Sequence, residues 1–213
     1  MRVATFYPNE NDDLHCLQAS VRMVFETMTG SELTLQQAED FTGFVSGQQT
    51  WPFQTMISFA DHGFDVINVE KMDNEWFARS PKEACIAEYG EDIWKHFLKV
   101  SDVEAAQKAA AMCVQNKNIT MEKKIPELSD IRSLLDRGFL AICNVNYKAL
   151  AGEEGYNGHF VVVEDVDVER DIVRLQNPGL PPIRDQEVEF ERFLKAWYYP
   201  NSGAGNVMGV RKK

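Results

Sequence analysis

Apolar residues recur at helical spacing from Leu17 through Val21, Val24, Phe25 and Met28, so the stretch opened by Cys16 reads as one amphipathic helix that Gly30 stops. Thr34 introduces a short helix over Leu35 to Phe41, and a third runs from Phe53 to His62 up to Gly63. Phe64 to Val69 then alternates with a period of two, as a half-buried strand does. From Asn74 to Asn116 the composition turns helical, most clearly over Ala-rich Val103 to Val114, and this block reads as an inserted helical layer within about residues 70 to 125. Ser129 to Arg137 reads as a capped helix closed by Gly138, leading into the buried strand Phe139 to Val145. Polar, Gly-rich residues 148 to 158 predict a loop. Beyond it come strands at His159 to Val166 and Ile172 to Gln176, a helix at Phe190 to Trp197 and a closing strand near Val207 to Val210. Helices first and strands later, with hairpin spacing, predict an α+β protein whose N-terminal helices lie on a mostly antiparallel sheet.

With 213 residues, 44% of them apolar, one domain spanning residues 1 to 213 is the simplest count. The net charge of -11 argues against nucleic acid and anionic membrane as partners, because phosphate binding needs clustered Lys and Arg. The start lacks the apolar core of a signal peptide and no apolar run is long enough to span a bilayer, so a cytoplasmic protein is expected. Composition says nothing of oligomeric state. Cys16, Cys85, Cys113 and Cys143 are too scattered for a zinc ribbon, and no histidine pair stands at ligand spacing, so neither a metal nor any other cofactor is expected.

Cys16 is distinguished from the other three cysteines by its place at a helix start, where unsatisfied N–H groups and the positive end of the helix dipole favour a thiolate. His159 is the candidate base to hold against that sulfur. If His159 to Asp167 and Asp171 to Asn177 form a hairpin about Val168 to Arg170, Asn177 falls opposite His159 and can orient its ring without adding charge. Asp165, on the same strand, is the reserve for that role. Taken singly, each residue also has a plain structural role: a buried thiol, a histidine at a strand end, a turn residue before Pro178. His15 is expected to be exposed at the helix start, and Trp197-Tyr198-Tyr199 to pack the last helix.

Cys16 to Val24, Gly158 to Val163, Asn177-Pro178-Gly179 and Phe193 to Trp197 together resemble the peptidase C39-like branch of the papain-like cysteine peptidases. That resemblance implies a papain-like fold with a Cys16, His159 and Asn177 triad acting on a peptide or a small amide or thioester. It also implies an oxyanion donor six residues before the nucleophile, where the family has Gln and this chain has Glu10. Asn9 or Asn11 would then take that role, together with the Cys16 N–H. Leu17 stands where many members have Gly. These two departures set out the alternative, a papain-like fold that has lost its chemistry and serves as a peptide-binding or regulatory module.

Overall fold

A computed structural model describes residues 2–213. Seven strands form one sheet: β1 (Phe64–Glu70), β2 (Ile119–Lys123), β3 (Leu140–Asn146), β4 (Gly158–Asp167), β5 (Ile172–Asn177), β6 (Ile183–Glu189) and β7 (Asn206–Lys212). Their spatial order is β2-β1-β7-β3-β4-β5-β6, and every pairing is antiparallel except β1 with β2.

Strand alternation divides the core in two. Phe64, Val66, Leu140, Ile142, Phe160, Val162, Met208 and Val210 face one way. There they meet α1 (Cys16–Thr29), α3 (Phe53–Asp61) and the helical block α4 (Asn74–Arg79), α5 (Pro81–Tyr89), α6 (Glu91–Val100) and α7 (Val103–Cys113). Ile67, Val69, Ala141, Cys143, Val161, Val163 and Val207 face the other way, against α8 (Leu128–Asp136), α9 (Tyr147–Ala151) and α10 (Phe190–Trp197). The block expected as an inserted layer therefore belongs to the same apolar cluster as α1, through Phe77, Ala84, Cys85 and Trp94.

Local chemistry explains the helix limits. Helix α2 (Leu35–Thr42) begins with a capping box in which Thr34 accepts from Gln37 N–H and Gln37 accepts from Thr34 N–H. Helix α1 ends at Gly30, whose φ of 72° is the left-handed conformation that glycine adopts without strain. The residues expected as a loop over 148 to 158 begin as α9, whose start Asn146 caps by accepting from Lys148 N–H. No helix among the described residues is long and apolar enough to cross a membrane.

Candidate active site

Cys16 is the first residue of α1, and the loop before it is folded by Asn9. The Asn9 side-chain oxygen accepts from the N–H groups of Glu10 and His15, at 3.0 and 2.7 Å, while its Nδ2 donates to Asp13 Oδ1 at 2.9 Å. The Asn9 backbone N–H donates to Pro178 O at 2.7 Å, tying this loop to the turn after β5. Asp13, at a φ of 60°, also accepts from Asn157 Nδ2 at 3.5 Å, from the segment just before β4. Three distant segments, residues 9–16, 157–160 and 177–179, thus meet at one end of the sheet.

His159 is buried, and its Nε2 lies 2.8 Å from Asn177 Oδ1. Asn177 is held in turn by donating Nδ2 to Gln186 Oε1 and accepting from Gly179 N–H, while the Tyr147 ring stands edge-on to the imidazole at 5.0 Å. The contact forms, although the register differs from the one expected. Val162 pairs with Gln176 and Val163 with Leu175, so His159 reaches Asn177 diagonally rather than from directly across the ladder. A bulge between Val163 and Asp165 breaks the alternation that would have put Asp165 on the His159 side. Asp165 instead accepts from Arg174 Nη2 at 2.7 Å.

Cys16 and His159 approach β4 differently. The thiol is on the wall of a cavity that also involves Gly158 and Phe160, and backbone N–H groups of Phe160, Leu17 and Cys16 itself point at the sulfur. His159 has the strand parity of Val161 and Val163, which belong to the other cluster. The Phe160 amide is thus on the Cys16 side, whereas His159 has the parity of the opposite face, and among the described residues no hydrogen bond joins the imidazole to the sulfur.

Burial dominates the electrostatics. It pushes the Cys16 thiol up to about 11, against the smaller pull of those N–H groups, and the nearby Asp13 carboxylate adds to the rise. Burial likewise lowers His159 to about 4, with the Asn177 contact opposing it weakly. The helix start therefore does not yield a resting thiolate, contrary to expectation, because desolvation of a buried anion outweighs one helix end. Asp13 is itself raised by burial. Its carboxylate beside the sulfur was not among the expected site residues, and only the tertiary fold brings it there.

Of the two expected oxyanion donors, Asn9 is buried with its Nδ2 committed to Asp13, and Asn11 is exposed on a turn. His15 is buried rather than exposed: its ring bridges Asp12 and Glu39 at 2.9 Å each and lies against Phe44. Burial pushes Cys85 and Cys113 up to about 12 and raises Cys143 further. No group of three His, Cys, Asp or Glu side chains among the described residues is arranged to hold a metal. Trp197 is buried and donates its indole N–H to Asn206 O, while Tyr199 stacks on Tyr156 at the cavity.

The cavity beside Cys16 has a volume of about 100 Å³ and opens to solvent. Its floor is the α1 face of β1, β7, β3 and β4, and its roof comes from Trp51, Tyr89 and Phe97.

This mixed α+β arrangement of sheet and helices is similar in fold to solved structures. One of them is the peptidase domain of Streptococcus ComA, a bifunctional ABC transporter involved in a quorum-sensing pathway, with a TM-score of 0.52 over 97% of each chain at 12% identity. Neither a family model nor the sequence of a curated protein matches the chain.

Proposed function

We propose that this protein is a cysteine peptidase or related acyl-transfer enzyme of the C39-like, papain-like type, with Cys16 as nucleophile, His159 as general base and Asn177 as the group that orients the imidazole. The observation that carries this reading is the 2.8 Å contact of His159 Nε2 with Asn177 Oδ1, in a peptidase-domain fold whose helix-start cysteine opens on a cavity. With Nε2 engaged by Asn177, Nδ1 is the nitrogen left to take the thiol proton. Thiol and imidazole are both neutral at rest, so the proton moves as the sulfur attacks an acyl carbon, and the imidazolium returns it to the leaving group. The Cys16 N–H supplies one oxyanion donor; Asn9 supplies the second once its amide leaves Asp13, with Asn11 as the reserve.

The second reading, a peptide-binding or regulatory module without chemistry, is favoured by the raised thiol, the lowered imidazole and the Asp13 carboxylate beside the sulfur. Iodoacetamide alkylation followed residue by residue with mass spectrometry separates the two. The enzyme reading expects Cys16 to react first among the four cysteines, and about 10²-fold more slowly in His159→Ala, the scale of a positioned base. A Cys16 rate that His159→Ala leaves unchanged eliminates the enzyme reading in favour of the module.

A further inference from the structure

The cavity that begins at Cys16 ends at a buried carboxylate. Glu70 is the last residue of β1 and has the parity of Phe64 and Val66, so it lies on the cavity face of the sheet. Asn68 Nδ2 and Asn74 Nδ2 both donate to Glu70 Oε1, which leaves Oε2 without a protein donor among the described residues. No Lys or Arg among the described residues pairs with Glu70. The neighbouring Lys71 turns instead to Glu88, at 3.2 Å.

A polar row crosses the sheet between the two ends of the cavity. Glu70 pairs with Asn206 on β7, the Asn206 side chain accepts from Asn144 N–H on β3, and Asn144 pairs with Phe160 on β4, whose amide is on the Cys16 sulfur. That path covers three strand spacings, roughly 14 Å. Ile142 and Met208 give the floor of this path apolar surface, and Phe97 gives it to the roof.

We infer that this cavity is a substrate subsite for a basic side chain, in which Glu70 holds the ammonium or guanidinium of a peptide whose reacting bond lies at Cys16, roughly 14 Å away. The inference rests on the peptidase reading for its substrate, and on geometry for its ligand. A buried carboxylate with a free oxygen is costly when empty, and burial raises its proton affinity. A cation on an apolar stem removes that cost while the stem covers Ile142 and Met208. The net charge of -11 also draws such a peptide in.

The test is calorimetric titration of the full-length Cys16→Ala protein with acetyl-Lys-Ala-Ala-Lys-amide and with its norleucine counterpart, which keeps the stems and removes the charges. The lysine peptide should bind about tenfold or more tightly, the scale of a hydrogen bond to a charged group. Glu70→Gln, added to a protein that still unfolds cooperatively, should erase that preference and leave the norleucine affinity within about twofold. Equal affinities, no binding of either peptide, or a preference that survives Glu70→Gln each overturns the assignment. If Glu70→Gln does not fold, hexylamine against hexanol on the Glu70-intact protein asks the same question, and equal binding again overturns it. Because these titrations need no reaction at Cys16, a lysine preference alongside an alkylation rate indifferent to His159→Ala would retain the subsite and discard the enzyme.

Discussion

At the scale of single residues, His159 shows what burial does to a strand histidine. Its imidazole drops from an ordinary value near 6.5 to about 4 because the folded chain takes it out of water. In the unfolded chain the same ring binds a proton near pH 6.5. His159 therefore contributes full stability above pH 6.5, and loses it as pH falls through 6.5 toward 4. The linkage amounts to about 3 kcal/mol. Urea denaturation at pH 7 and pH 4 should show that loss in the wild type and a correspondingly shallower pH slope in His159→Phe. An identical slope in both would mean that the imidazole is not the group being titrated. The residue types of this site were legible in the sequence: a cysteine at a helix start, a histidine at a strand start and an asparagine before Pro-Gly. Asp13 was not, because its nearness to the sulfur comes from hydrogen bonds to Asn9 and Asn157 that no spacing rule anticipates.

At the scale of elements, the turn after β5 holds His159 and Asn177 in place. Gly179 has no side chain because a Cβ there would stand 2.6 Å from Tyr147 Cε2 and 2.9 Å from Asn177 Oδ1. Gly179→Ala must displace one or both, and the displaced residues are the two that flank the imidazole. We expect it to destabilise the protein by about 1–3 kcal/mol, as overpacking does, and to slow Cys16 alkylation in the same sense as His159→Ala. A thermal midpoint and an alkylation rate both equal to wild type would show that this turn does not position the ring. Strongly periodic elements, such as α1, α3, β1, β4 and α10, follow from apolar spacing alone. Strand β6 does not, since six of its seven positions are exposed or only half-buried and are mostly charged, which suits a sheet edge but carries no apolar alternation. Strand β2 is legible only through its parallel pairing with β1.

At the scale of the whole molecule, α4 to α7 are part of the core that positions Cys16. Phe77, fully buried on α4, contacts Trp51 and Phe53 at ring separations of 5.1 and 5.2 Å, linking the block to the cavity roof and to α3. Phe77→Ala should cost about 3–5 kcal/mol in urea denaturation, the range for losing a buried aromatic ring. A loss under about 1 kcal/mol would mean that the block sits on the core without supporting it. Local periodicity and capping were enough for the sequence to determine which strongly periodic segments become helix or strand, because those properties depend on neighbours a few residues apart. Whether the thiol is charged, which way the imidazole leaves β4, and that Glu70 ends a cavity begun by Cys16 were decided by the tertiary structure alone. Each depends on desolvation and strand register, and both arise only when segments more than a hundred residues apart in the chain come together.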